Sequence, residues 1–191
     1  MTESVNAAER INAEVSGILA GEYPDDRRVT ITLAYCNLAL DHHSSIILLY
    51  KNQRYSSGLA LVRSIFEAML RAHWVVGIAT AEQVDLVAKD PEFDIMSRVD
   101  ADQIDAAFQA DGFFRQAKTD AWKAMNAYAH SGLRQLARQF TAGRIEASYP
   151  EAELLEGLRA ATAAALVLAH LLAHSTGRDT QPIEALIETV P

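Results

Sequence analysis

Apolar residues at Val5, Ala8, Ile11, Val15, Ile18 and Leu19 fall on one side of a helical wheel and predict an amphipathic helix over 4–20. Gly21-Glu22-Tyr23-Pro24 ends it, and Asp25 or Asp26 caps a second helix running to about residue 52. That helix carries Val29, Ile31, Leu33, Tyr35, Leu38, Ala39, Ile46, Ile47 and Leu49. Residues 52–54 are a short break. In the third helix Tyr55, Leu59, Val62, Phe66, Met69, His73 and Gly77 step by four and three, the seam of a bundle helix. Short connections between long helices imply antiparallel neighbours.

Thr80 to Gln83 reads as a capping box opening a short acidic helix, and Asp90-Pro91 marks another break. The pattern over 92–111 is weak and predicts two short helices. Phe114, Ala117, Ala121, Trp122 and Met125 share one face of a helix over about 113–128. His130-Ser131-Gly132 interrupts it or joins it to a further segment over 133–140, which Gly143 closes. Ser148-Tyr149-Pro150-Glu151 reads as a capping box for a last long helix that reaches about residue 175 and stops near Gly177. A short helix or tail follows from Thr180-Gln181-Pro182. Nowhere is there sustained alternation of period two. The expectation is an all-α chain: one bundle of four to five long helices with a short helical insertion at about 81–111. Residues 1–24 form the N-terminal amphipathic helix, 25–177 the bundle and 178–191 a C-terminal tail, all within a single helical domain 1–191.

Composition agrees. The chain has 191 residues, of which 50% are hydrophobic and 22% charged, enough for one real core and too apolar for wholesale disorder. The single Cys36 excludes an internal disulfide and a multi-cysteine zinc site; in its apolar pattern it reads as an inert buried thiol. No basic and apolar leader opens the chain. Of the two greasiest runs, 58–79 carries three charges and 160–173 is 14 residues long, short of the roughly 20 that cross a bilayer. A soluble, cytoplasmic protein without membrane contact is expected.

The net charge of −8 is unevenly spread. Residues 81–111 hold nine acids and two bases, while 112–144 hold six bases and one acid. Two readings stand: adjacent helices of opposite sign that neutralise each other, or a basic face for phosphate.

Candidate chemistry starts from the third helix. Arg63, Glu67 and Arg71 stand four apart in a stretch that is apolar nearly all round, so Glu67 can touch both arginines in a partly dry setting. Such a row is either a salt bridge that positions neighbouring helices or part of a site. The block Asn126 to Gly132 is its natural partner. His130 is the residue best suited to move a proton near neutral pH. Were the helix to continue, His130, Arg134 and Arg138 would share a face able to receive phosphate or carboxylate, with Lys123, Asn126 and Tyr128 upstream. His170 and His174, four apart, could face one metal with His42-His43 adding a ligand, but packed or interface histidines are the simpler reading, and no metal or cofactor is expected. The paired acids at 100–105 read as a solvated face. There is no Gly-rich phosphate loop and no nucleophile elbow.

Two blocks carry a resemblance. Arg54-Tyr-Ser-Ser-Gly-Leu-Ala-Leu-Val-Arg63-Ser-Ile-Phe-Glu67-Ala, followed by Trp122-x-x-Met-Asn126-x-Tyr128-x-His130-Ser-Gly132, resembles an uncharacterised bacterial helical family over about residues 25–175. More distantly the chain resembles the HEPN superfamily of helical bundles. That resemblance implies a homodimer, and it implies metal-independent ribonuclease activity in toxin–antitoxin or phage-defence systems. Its signature, Arg then four to six residues then His, is absent; the nearest arrangement is Lys123, six residues, His130.

Two functions follow. In the first, the chain is a non-catalytic dimeric module that binds a protein partner or a small anionic ligand, with Arg63, Glu67 and His130 as a buried polar cluster. In the second, it is a HEPN-like ribonuclease. His130 is then the general acid/base and RNA the substrate, while Arg63, Lys123 and Arg134 stabilise phosphate charge.

Overall fold

A computed structural model describes residues 1–141 and 144–190; the side chains of Arg134 and Thr141 lie outside the description, as do Gly143 and Pro191. The described residues form nine helices: α1 (Thr2–Ile18), α2 (Arg27–Lys51), α3 (Tyr55–Gly77), α4 (Ala81–Lys89), α5 (Ala101–Phe108), α6 (Phe113–Ala129), α7 (Leu133–Ala137), α8 (Glu151–Ser175) and α9 (Gln181–Ile187). The chain is mostly helical, as its patterning requires.

Local signals set the ends. The Asp26 carboxylate accepts from the Val29 amide at 3.0 Å and starts α2. Thr80 and Gln83 form the reciprocal capping box of α4. Gly177, at φ +69°, follows the end of α8 in the left-handed region that glycine takes without strain.

α3 is the central element. It packs on α2, α8, α6 and α5, while α1 lies across α2 and α8, and α9 closes over α8. Ile65, Met69, Leu70 and Trp74 of α3 meet Leu166, Leu168 and Leu172 of α8 in a single core. Each such side chain removed from water contributes roughly 1.5–3 kcal/mol. The turn from α2 to α3 is tight because Gly58 lies under Tyr50: a Cβ there would sit 2.6 Å from the tyrosine ring. α8 has 25 residues and is long and apolar enough to span a membrane by length and composition. Its buried residues are spent against α3, α2 and α1.

Three expectations are corrected. Over 92–111 there is one α-helix, α5, rather than two, because residues 91–99 form turns. Ser148 does not cap α8. Its amide is tied back to the Arg138 carbonyl at 2.8 Å, and the helix opens at Glu151 after Pro150. The segment expected as helix over 133–140 ends at Ala137. It passes into a two-residue antiparallel pair, β1 (Phe140–Thr141) with β2 (Arg144–Ile145), too short to show any alternation.

The charge asymmetry resolves locally toward neutralisation. α5 packs on α6, Arg115 reaches Asp102 at 3.4 Å, and Asp105 is buried. Its carboxylate accepts from the amides of Phe114 and Arg115 at 2.9 and 3.0 Å, satisfying the free N–H groups that begin α6. Asp105 is thus a helix cap donated by a neighbouring element, not part of a solvated face.

Candidate functional site

Arg63, Glu67 and Arg71 stand one turn apart in one row along α3. Arg63 Nε donates to Glu67 Oε1 at 2.6 Å, and Arg71 Nη2 lies 2.9 Å from Oε2, so each carboxylate oxygen holds one guanidinium. The three side chains are 22%, 14% and 29% exposed, which makes the row partly desolvated. The Arg63 guanidinium lies over Trp122 of α6, 5.2 Å from the ring centroid, and Lys118 Nζ approaches the same ring at 5.7 Å. Burial raises the Tyr35 phenol of α2, and the charge of Arg71 opposes that shift.

His130 reaches this row through the joint that ends α6. Ser131 adopts φ +52°, and the Gly132 amide donates to the Ala127 carbonyl at 2.7 Å, the Schellman pattern. Gly132 allows a close approach, since a Cβ would sit 3.1 Å from the Ala127 backbone and push it back by a few tenths of an ångström. The reversal turns the exposed imidazole back toward α3, where Arg63 Nη1 donates to His130 Nε2. A guanidinium only donates, so Nε2 offers its lone pair and Nδ1 carries the proton.

Arg63, Glu67 and His130 are therefore in one contiguous cluster. The other residues singled out by the sequence are distributed differently. Lys123 is exposed and lines a shallow groove with Arg115, Lys118 and Trp122. Asn126 is half-buried, and its Oδ1 has no hydrogen-bond partner among the described residues. Tyr128 lines a cavity between α3, α6 and α8, together with Asp120, Glu153 and Glu156. Arg138 pairs with Glu153, Nη2 to Oε2 at 2.5 Å. The helix stops at Ala129, so His130 and Arg138 do not share one helical face; the Arg134 side chain lies outside the described residues.

Four other histidines, His43, His73, His170 and His174, are engaged elsewhere. Asn12 Nδ2 donates to His43 Nδ1 at 3.1 Å, and His43 Nε2 donates to Thr162 Oγ1 at 2.9 Å. Thr162 in turn donates to the Leu158 carbonyl. His43 is thus spent in a buried chain joining α1, α2 and α8 rather than free as a metal ligand, and burial lowers it to about 4. His73, between Phe108 and Phe114, is likewise lowered to about 4 by burial. His170 and His174 stack with centroids 6.4 Å apart, and His170 Nε2 meets Glu184 Oε1 of α9 at 3.0 Å. No group of three or more metal-ligating side chains occurs among the described residues. The Cys36 thiol is fully buried and pushed up to about 12.

Sequence reasoning missed Trp122 as the platform of the cluster, although it lies four and eight residues before Asn126 and His130. It also missed Glu153, which no local spacing links to Tyr128 or Arg138.

The model of a family described as Family of unknown function (DUF6988) matches residues 36–189. No curated protein and no solved structure matches the chain.

Proposed function

The chain belongs to the DUF6988 family, and we propose that it is a non-catalytic helical binding module acting as a homodimer in the cytoplasm. The observation that carries this reading is the closure of the Arg63 cluster. Arg63 gives Nε to Glu67, Nη1 to His130 and its face to Trp122, while Glu67 spends both oxygens on guanidinium groups. Groups engaged in this way tie α3 to α6. A two-pronged phosphate contact with Arg63 would have to displace its carboxylate or its imidazole, since each paired edge of the guanidinium already spends one nitrogen, Nε on Glu67 or Nη1 on His130, and removing either leaves a partly buried charge short of a partner. The missing signature, Arg then four to six residues then His, points the same way.

One observation favours a second reading. His130 is exposed beside a guanidinium, and Trp122 with Lys118 above it could stack a base and draw in its phosphate. In a HEPN-like ribonuclease His130 would exchange the proton on the 2′-hydroxyl or the leaving oxygen, with Arg63 and Lys123 facing the phosphate. Incubation of structured and unstructured RNA with excess protein in a chelator separates the two. The binding module leaves both intact. Cleavage that disappears in His130→Ala would establish the nuclease and end the first reading.

A further inference from the structure

Between α3, α6 and α8 lies a cavity of about 280 Å³ that shares no residue with the Arg63 cluster. Part of its wall is apolar, formed by Leu59, Val62, Met125 and the alanines beside them. Three carboxylates, those of Asp120, Glu153 and Glu156, open onto it. Acidic groups alone would mean little, but two further features are unusual. Tyr128 lines the cavity while only 5% exposed, and its hydroxyl is buried with no hydrogen-bond partner. The Glu153 carboxylate is also buried. Its contact with Arg138 lacks hydrogen-bond geometry, so neither oxygen accepts a hydrogen bond. Buried polar atoms are nearly always satisfied, and leaving one unmade forfeits about 1–3 kcal/mol.

We propose that this cavity binds a small organic cation, a primary ammonium on a short hydrocarbon chain. An ammonium supplies three N–H donors and no acceptor, which suits Glu153 Oε1 and the Tyr128 hydroxyl oxygen, neither of which has a donor. Its charge answers the imbalance of the lining, where three carboxylates and, among the described residues, no lysine or arginine face the cavity. Burial, and then the neighbouring Glu156, raise the Glu153 carboxyl despite its ion pair with Arg138. The hydrocarbon chain suits the apolar part of the wall, and the volume lies just below the range of ligand pockets, roughly 300–1,000 Å³, as a small ligand requires. A phosphate or carboxylate ligand is disfavoured by the same three acids.

The test is calorimetric titration and thermal melting of the full chain with 1,4-diaminobutane, against 1,4-butanediol as the uncharged probe, at fixed ionic strength. The diamine gives heat and raises Tm; the diol does neither. Tyr128→Phe keeps the ring and removes only the unpaired hydroxyl. It melts at or above the wild-type temperature yet binds the diamine about tenfold more weakly, the equivalent of one lost hydrogen bond. Glu153→Gln weakens binding by at least about tenfold. Absence of diamine binding, equal binding of the diol, or unchanged affinity in both variants would overturn the proposal. None of these outcomes depends on whether the protein cleaves RNA.

Discussion

Glu67 is the residue on which the α3–α6 contact turns. Its carboxylate is the shared acceptor of two guanidinium groups, and it is the least exposed of the three side chains. Glu67→Ala leaves Arg63 and Arg71 facing each other with no anion between them. The expected loss is about 1–3 kcal/mol, read as a lower urea midpoint, and a variant with the wild-type midpoint would mean that the row is solvated. Glu67→Gln retains an acceptor oxygen and should fall between. The buried histidines act at the same scale but through pH. His43 and His73 are lowered from the ordinary 6.5 to about 4 in the folded chain. Above pH 6.5 both states leave them unprotonated and nothing is lost. As pH falls from 6.5 to 4 the unfolded chain takes up protons that the folded chain refuses, and stability drops by up to roughly 3 kcal/mol per histidine. Urea midpoints at stepped pH should show this slope. His73→Phe, seated between Phe108 and Phe114, should flatten about half of it, and an unchanged slope would assign the effect to other groups.

At the scale of elements, the joint between α6 and α7 sets where His130 points. Ser131 holds the left-handed conformation that a Schellman end requires, a conformation that strains any residue with a Cβ. Ser131→Gly should therefore stabilise the protein by about 0.5–1 kcal/mol, seen as a higher Tm, while Ser131→Val should lower it. Equal melting of the three would show that the joint relaxes elsewhere. The joint also explains what could be read in advance. Arg63, Glu67 and Arg71 were legible because helical spacing alone places them in one row, and His130-Ser131-Gly132 was legible as a break because of its residue types. What spacing could not give was the direction of the reversal, which follows from Gly132 pressed against the Ala127 backbone. Asp105 was misread for a related reason. In an acidic run it resembles its exposed neighbours, and only the packing of α5 on α6 brings it to the amides it caps. Likewise the long helices α2, α3 and α8 were visible in periodicity. The strand pair was not, since two residues per strand carry no pattern.

For the whole molecule, the question is which surface a second copy would use. The greasy helices α3 and α8 are poor candidates because their apolar faces are already consumed in the core. Besides Leu48 of α2, the most exposed large apolar side chains lie on α7 and the strand pair, where Leu133 is 83% exposed, Ile145 87%, Phe140 53% and Leu136 51%. Phe140 and Ile145 are directly opposed in the pair, so their side chains leave the same face. Four large apolar side chains so exposed on one short projection are unusual for a monomer. An isologous two-fold contact would cover the patch with its own copy, giving both partners the same burial with no second complementary surface. A stable interface needs about 1,200–2,000 Å² in total, so the projection must seat against neighbouring helix faces as well as itself. Sedimentation across a wide concentration range should show a reversible dimer. Leu133→Glu combined with Ile145→Glu should give a monomer of unchanged helical content, because neither side chain supports the core. A wild-type chain that stays monomeric at the highest concentration would leave the patch without this partner, and would remove the dimer from the proposed function while leaving the Arg63 cluster and the cavity where they are.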